Sequence, residues 1–300
     1  MIDWNGVFPA ITTKFKADGS LDLDLFIHNI DAQLAAGVHG LILGGTLGES
    51  ATLSDEEKMI ITKACLSHVN GKVPVILNIA EASTAIACDW AHKAEKIGVQ
   101  GLMLLPPMRY NADHREVVGF FKTIALSTSL PIMIYNNPVD YNVTVTLEMF
   151  DELIALENIQ AVKESTRDIS NITRMLNRYG DRIAILCGVD TLAMESLLMG
   201  AHGWVAGLVC AFPRETVVIF ELIKQGRVAE ALEIYRWFLP LLELDIHPKL
   251  VQYIKLAEEA VGIGSAHVRA PRLELIGKER EDVLTIIENG LKNRPILPKI

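Results

Sequence analysis

Three copies of one short pattern, GVHGL (37–41), GVQGL (98–102) and GAHGW (200–204), decide the fold of this chain of 300 residues. Each copy follows a stretch of helical period and opens a short apolar run. The first glycine fits a left-handed helix C-cap, and the second permits close backbone approach where a strand begins. The copies start 61 and 102 residues apart. Those spacings correspond to two and four strand-helix units of roughly 25 to 30 residues each.

Short apolar runs recur along the chain, and the segments between them have the three- and four-residue spacing of a buried helix face, as in 24–36 and 55–69. Ser54 and Glu57 form a capping-box signature at the start of the second of these helices. The predicted strands are residues 7–11, 40–43, 73–79, 101–105, 131–135, 159–163, 183–187 and 203–208. Alternating strands and helices predict a parallel sheet.

Eight such units fill residues 1 to about 225, which predicts an α/β fold, a closed (β/α)8 TIM barrel. A doubly wound open sheet has the same alternation, but no GxGxxG follows the first strand. We therefore expect a barrel domain over 1–225 and a C-terminal helical extension over 226–300, with helices at 227–242, 248–261 and 278–292.

Composition and charge exclude several classes of function. The formal net charge of −9, with no basic cluster, disfavours nucleic-acid binding. No apolar stretch approaches the roughly 20 residues that span a membrane, and the N-terminal residues do not resemble a secretory signal, so we expect a cytoplasmic protein. Four separated cysteines and eight histidines without an HxH or HExxH pattern predict neither disulfides nor a metal site.

Polar residues just after the predicted strands are the candidates for function, because a parallel barrel has its active site at the carboxyl ends of its strands. They are Thr46, Glu49, Arg109, Tyr110, Tyr135, Asn136, Lys163, Ser165 and Asp190. Lys163 ends the sixth strand and Tyr135 ends the fifth, so we expect the two side chains to meet. A lysine in a low-dielectric interior loses its charge more easily, and the neutral amine attacks carbonyl carbon.

Two alternatives concern these strand ends. An ion pair between Lys163 and Glu164 is one alternative, but strand alternation points the two side chains to opposite faces. The stretch GGTLGES (44–50) lacks the lysine of a Walker loop, so we interpret it as a cradle of N–H groups and the Thr46 hydroxyl for a small anion such as a carboxylate. Glu49 is expected to be a buried hydrogen-bond partner of this turn.

Together these motifs resemble the dihydrodipicolinate synthase and N-acetylneuraminate lyase family along the whole chain. The matching motifs are the turn at 45–49, YNNP at 135–138, VKES at 162–165 and CGVD at 187–190. The resemblance implies a (β/α)8 barrel, usually tetrameric or otherwise homo-oligomeric, that needs no metal or organic cofactor. It also implies a class I enzyme that forms a Schiff base with a 2-oxo acid such as pyruvate.

The resemblance assigns roles to individual residues. Lys163 is implied to be the Schiff-base lysine and Tyr135 the phenol that relays protons. The substrate carboxylate is implied to bind Thr46 and the backbone N–H groups of Thr46 and Leu47. Val205 is implied to face the adduct through its backbone carbonyl.

Three positions depart from the synthases of this family. Leu47 stands where they usually have a second threonine, and Asp140 stands where an arginine holds the second substrate's carboxylate. Arg109 replaces the expected tyrosine, with Tyr110 one place further on. An aspartate at 140 would repel a carboxylate and suits a nascent amine better.

The stretches PPMRYNAD, YNNPVDY and HVRAPRL look closer to a subgroup of hydroxyproline catabolism, the 1-pyrroline-4-hydroxy-2-carboxylate deaminases. The expected partner is therefore a small 2-oxo acid or imino acid. Arg109, Tyr110, Asn136 and Asp140 are expected at the substrate site. The sequence does not choose which of Arg109, Asn136, Asn137 and Asp140 contacts the hydroxyl or amine. The alternatives are 4-hydroxy-tetrahydrodipicolinate synthase, a 2-oxo acid aldolase or sugar-acid dehydratase, and a 2-oxo acid sensor without turnover.

Overall fold

The computed structural model describes residues 2–107 and 110–300, and in these ranges it has eight strands and twelve α-helices. The strands form one sheet in the order β1-β8-β7-β6-β5-β4-β3-β2. The strands are β1 (Gly6–Pro9), β2 (Leu41–Leu43), β3 (Val75–Ile79), β4 (Gly101–Leu104), β5 (Ile132–Asn136), β6 (Ile159–Glu164), β7 (Ala184–Cys187) and β8 (Gly203–Ala206). Helices connect them, and the fold is the predicted (β/α)8 barrel.

All eight predicted strands are confirmed, with ends that differ by one or two residues. The helices are α1 (Leu23–Ala36), α2 (Asp55–Val69), α3 (Thr84–Ile97), α4 (His114–Leu126), α5 (Pro138–Tyr141), α6 (Leu147–Leu153), α7 (Ile169–Tyr179), α8 (Ala193–Leu198), α9 (Pro213–Lys224), α10 (Val228–Leu242), α11 (Leu250–Ala260) and α12 (Gly277–Lys292). The capping box of Ser54 and Glu57 is formed at α2.

The chain divides into two compact units. One contains Met1–Asn5 and Pro74–Val205, and the other contains Gly6–Val73 and Ala206–Ile300. The first holds β3 to β7 and helices α3 to α8, and the second holds β1, β2 and the C-terminal helices. The C-terminal helices confirm the helical extension, and the boundary near residue 225 stays a prediction. Among the described residues, no helix is both long and apolar enough to cross a membrane.

The repeated pattern of the sequence joins each helix to the strand after it. Gly37, Gly98 and Gly200 all have positive φ, between 87° and 103°, at or just after the end of a helix. The third residue of each pattern then accepts a backbone N–H of a strand, and the accepting atoms are His39 Nδ1 for Val7, Gln100 Oε1 for Val75 and His202 Nδ1 for Ile185. The histidines of this pattern therefore have a structural role.

Candidate active site

Strands β5 and β6 bring Tyr135 and Lys163 together in register. Both are buried, with 9% of Tyr135 and 8% of Lys163 exposed. The Lys163 Nζ atom lies 4.1 Å from the centroid of the Tyr135 ring. The structure thus brings together the two side chains that the sequence predicted to meet.

Gly188, just after β7, leaves the space that the Lys163 side chain occupies. A Cβ atom at Gly188 would lie 2.6 Å from both Cγ and Cε of Lys163, and it would also clash with Ser165 Oγ. The Gly188 N–H donates to the Glu164 carbonyl at 2.9 Å, and this bond holds the backbone of Gly188 close to the end of β6. Any larger residue at 188 would have to displace the lysine.

The Ser165 hydroxyl beside Lys163 is buried, and its Oγ atom has no hydrogen-bond partner among the described residues. Buried hydroxyl groups are nearly always hydrogen-bonded in folded proteins. Ser165 was predicted from its place at the end of a strand, without a specific role. The unsatisfied oxygen makes it a candidate contact for a bound molecule.

The side chain of Glu164 is bonded to neutral groups around β6. It accepts from the amide groups of Asn136 and Asn171, at 3.2 and 3.1 Å, and from the Thr166 N–H at 2.9 Å. Burial raises the pKa of this carboxyl, against the lowering effect of these donors. These bonds account for a buried glutamate next to the lysine, and they favour the interpretation that Glu164 is not the partner of Lys163.

Asn136 is fully buried, and its amide bonds to the backbone of Val145 in both directions, at 3.1 and 2.9 Å, as well as to Glu164. The amide therefore fixes the segment that follows α5. The predicted contact of Asn136 with substrate stays a prediction, and its existing bonds favour a structural role.

Asn137 connects Tyr135 with Asp140. The Asn137 Nδ2 atom donates to Tyr135 Oη at 3.1 Å and to Asp140 Oδ2 at 2.7 Å. Its Oδ1 atom accepts from the Asp140 N–H at 3.2 Å, as the N-cap of α5. Asn137 is buried and Asp140 is exposed. Asp140 is thus linked to the candidate proton carrier through one amide.

The glycine-rich turn lies in the other unit, after β2. Glu49 ends this turn with a left-handed φ of 51°, and its N–H donates to the Thr46 carbonyl at 3.0 Å. Thr46 is exposed and Leu47 is buried. The implied binding of a carboxylate by these two residues stays a prediction.

Glu49 is buried, as predicted, and it belongs to an ionic cluster in that unit. Lys255 on α11 donates to Glu49 Oε1 at 2.5 Å, and the Arg269 N–H donates to Oε2 at 3.0 Å. Burial lowers the pKa of Lys255 to about 8, although Glu49 acts in the opposite direction. A second buried ion pair joins Lys14 to Glu258 at 2.8 Å. The sequence offered no signal for this cluster, because its members are far apart along the chain.

The remaining predicted residues are placed as follows. Val205 is buried on β8, and the role of its carbonyl stays a prediction. Tyr110 is 55% exposed and interacts with Glu116, which contributes to a raised pKa, after desolvation as the larger cause. Its substrate contact also stays a prediction. Arg109 lies outside the described residues.

Comparison with known proteins shows the class to which this barrel belongs. The model of the dihydrodipicolinate synthetase family matches residues 3–290. An "Uncharacterized DapA-like lyase" of Rhizobium meliloti is 32% identical over 94% of this chain and 95% of its own length. The 4-hydroxy-tetrahydrodipicolinate synthase of Exiguobacterium sibiricum is 31% identical over 91% and 92%.

Solved structures agree with these relatives. The 4-hydroxy-tetrahydrodipicolinate synthase of Methylacidiphilum fumariolicum SolV has a TM-score of 0.91 at 27% identity, and the match covers 96% of both chains. The dihydrodipicolinate synthase DapA-2 of Bacillus anthracis has a TM-score of 0.92 at 27% identity, over 96% of this chain and 99% of its own. Fold and matches together define an enzyme, a class I lyase that acts on a small molecule. The chain belongs to the dihydrodipicolinate synthetase family.

Proposed function

We propose that this enzyme forms a Schiff base between Lys163 and a 2-oxo acid or cyclic-imine carboxylate, with Tyr135 as the proton carrier. The pairing of the two residues supports this proposal: they are in register on adjacent strands, both are over nine-tenths buried, and Nζ lies 4.1 Å from the ring centroid. Burial disfavours the charged form of an amine and so supplies the neutral nucleophile. The phenol beside it can give its proton to a departing group and, as phenolate, take a proton from the adduct.

Ser165 is proposed to contact the bound substrate. Its hydroxyl is buried without a partner among the described residues, and it approaches the same point beside Gly188 as the Lys163 side chain. A substrate carboxylate or hydroxyl would satisfy this oxygen, since a serine hydroxyl both donates and accepts.

For the particular reaction we propose deamination of 1-pyrroline-4-hydroxy-2-carboxylate. Lys163 Nζ would attack C2, and the ring nitrogen would leave C2 as an amine, so that a Schiff base replaces the cyclic imine. Tyr135 would give its phenol proton to the ring nitrogen as that nitrogen leaves C2, and the resulting phenolate would take a proton from C3. The C4 hydroxyl would then be protonated and leave as water, which forms a C3–C4 double bond. Tautomerisation to an imine at C5 and addition of water there would release ammonia.

A further water would hydrolyse the Schiff base and free 2,5-dioxopentanoate and Lys163. The sum is one substrate and one net water converted to ammonia and the dioxo acid, without oxidation or reduction. The protonated Schiff base serves as the electron sink when the C3 proton is removed. Asp140 supports this substrate, because an exposed carboxylate next to the Asn137 amide suits an amine better than a second carboxylate.

A second candidate is 4-hydroxy-tetrahydrodipicolinate synthase, which shares the Schiff base and differs in the second substrate. Relatives at 31% identity from Exiguobacterium sibiricum and Methanothrix thermoacetophila have this name. Leu47 and Asp140 are the departures from the synthase pattern that favour the deaminase. Assembly as a tetramer or dimer stays a prediction of the resemblance, and a cytoplasmic location stays a prediction from the sequence.

The two candidates are separated by direct assay. Ammonia release from the imine derived from cis-4-hydroxyproline is compared with condensation of pyruvate and aspartate semialdehyde, with Lys163→Ala as the control in both assays. We expect ammonia release that depends on Lys163, and only slow condensation. Condensation at ordinary enzymic rates, about 1 to 1,000 per second, would contradict the deaminase.

A further inference from the structure

The side chain of Asn137 has only one orientation that satisfies its neighbours. Asp140 Oδ2 is an acceptor and lies 2.7 Å from Asn137 Nδ2, while the Asp140 N–H is a donor and lies 3.2 Å from Oδ1. An amide turned end for end would face a carboxylate with its oxygen and an N–H with its NH2 group. Asp140 therefore determines which end of the amide each neighbour meets.

The end that Asn137 presents to Tyr135 is consequently a donor. The Nδ2 atom lies 3.1 Å from Tyr135 Oη, and both residues are buried, at 5% and 9% exposure. A phenol oxygen that accepts an N–H must direct its own proton elsewhere, and the same N–H stabilises the oxygen after that proton is lost. The bond thus prepares Tyr135 for exchanging a proton.

The position of the ring is fixed from several sides. The ring of Tyr141 on α5 packs edge-on at 5.4 Å between centroids, and Lys163 Nζ lies over the ring face at 4.1 Å. Asn137 itself begins α5 as its N-cap, so its backbone and side chain are held by the same short helix. The donor therefore has little freedom to leave the phenol oxygen.

We propose that Asn137, oriented by Asp140, is a positioning residue that prepares Tyr135 for proton transfer on the Schiff-base adduct. The inference rests on the proposed role of Tyr135, and it gives Asp140 a function that does not require contact with substrate. The step concerned is transfer of a C3 proton from the iminium adduct to the Tyr135 phenolate, which leaves an enamine. The phenolate forms when the phenol gives its proton to the water or amine that departs as the iminium is made. Return of a proton to C3 restores the iminium.

Pyruvate is the probe, since its methyl protons exchange with D2O only if the adduct passes through that enamine. Exchange is followed by proton NMR, and the Schiff base is measured separately by borohydride reduction and intact mass. The variants are Asn137→Leu, Asp140→Asn and Tyr135→Phe, with the Asn137→Leu/Tyr135→Phe double variant. Asn158→Leu is the control, because its amide bonds the Ala125 and Thr128 carbonyls instead.

In Asn137→Leu we expect the exchange rate to fall about tenfold, as the loss of one hydrogen bond to a charged group predicts. The half-saturating pyruvate concentration and the amount of adduct trapped by borohydride should stay unchanged. Asp140→Asn should also reduce exchange, because an amide at 140 lets Asn137 turn its oxygen toward the phenol. In the Tyr135→Phe background, Asn137→Leu should cause no further loss. Asn158→Leu should exchange like the wild type.

Wild-type exchange in Asn137→Leu would overturn the inference, as would an equal further loss in the Tyr135→Phe background. A loss of trapping parallel to the loss of exchange would also overturn it, because that result indicates a general structural defect. If the wild-type protein forms no adduct, or if Tyr135→Phe exchanges normally, the proposed function itself fails. Failure of the proposed function can thus be distinguished from failure of the inference about Asn137, which concerns only the Asn137 variants.

Discussion

Lys163 in one compact unit and Lys255 in the other are both buried, 8% and 0% exposed, and they have different surroundings. Lys255 donates to the Glu49 carboxylate and to the His267 carbonyl. Lys163 lies over the Tyr135 ring and against Gly188. Burial is common to both lysines, and the bond to a buried carboxylate marks Lys255 as structural, whereas Lys163 is the nucleophile of the proposed function.

The largest expected difference between the two lysines is in stability. Lys255→Met should lower the free energy of unfolding by about 3 to 5 kcal/mol, because it removes the directly bonded cation from the buried Glu49 carboxylate and leaves only Arg272, at 4.0 Å, as an ion-pair partner among the described residues. Lys163→Met should cost less, about 1 kcal/mol, because a methionine side chain of similar length can occupy the same space against Gly188 and over the Tyr135 ring. Urea denaturation of both variants measures the change in the free energy of unfolding. Equal losses in the two variants would contradict the comparison.

The space beside Lys163 provides the second test. Gly188→Ala places a Cβ atom 2.6 Å from Lys163 Cε, so we expect slower adduct formation and a loss of about 1 to 3 kcal/mol in unfolding free energy. Gly119→Ala is the control, since an added Cβ there meets nothing within 4 Å. It lies inside α4 and should stabilise the protein by about 0.5 to 1 kcal/mol. A Gly188→Ala variant that forms adduct at the wild-type rate would show that the lysine does not need this space.

The third test compares two buried serines, Ser165 beside Lys163 and Ser196 as its control, and the expected effects are smaller. Ser165→Ala should weaken pyruvate binding about tenfold, or about 1.4 kcal/mol, without reducing stability, because no bond within the described protein is lost. Ser196→Ala should leave binding unchanged, since its hydroxyl donates to the Leu192 carbonyl at 2.6 Å. Titration with pyruvate and thermal unfolding provide the two measurements. Normal binding by Ser165→Ala would remove it from the site.

The smallest expected effect is the pH-dependent contribution of one ion pair to the free energy of unfolding, in the unit that contains Lys255. The Arg269 guanidinium beside Glu57 holds the pKa of that carboxyl below its ordinary value of 4.5. Its stabilisation is therefore fully present above pH 4.5 and is lost as pH falls through the lower folded pKa. Glu57→Gln should cost about 1 kcal/mol at pH 7 and less at low pH. A cost that does not change between pH 7 and pH 3 would contradict this ion pair.

Most of the fold could be predicted from the sequence because its signals are local. Helix α2 begins and ends at Asp55 and Val69 as its period and capping box indicate, and the three glycine patterns mark helix-to-strand junctions. The predicted ends of the strands differ from the observed ends by up to two residues, because pairing with neighbouring strands decides where a strand ends. Tyr135 and Lys163 could be predicted as a pair because adjacent parallel strands end at the same edge.

The rest depends on contacts that no local pattern contains. Lys255 and Glu49 are 206 residues apart in sequence, and nothing in either segment indicates the other. Asn137 could be seen as a turn residue, but its bond to Tyr135 depends on the short helix α5. The unsatisfied hydroxyl of Ser165 became visible only after its neighbours were placed.

The central claim, that Lys163 is the nucleophile, is tested most directly by borohydride reduction in the presence of pyruvate, followed by intact mass and peptide mapping. The wild-type protein should gain the mass of one reduced pyruvate on the peptide that contains Lys163, and Lys255 should remain unmodified. Lys163→Ala should gain nothing. No gain in the wild type, or a gain that persists in Lys163→Ala, would contradict the account.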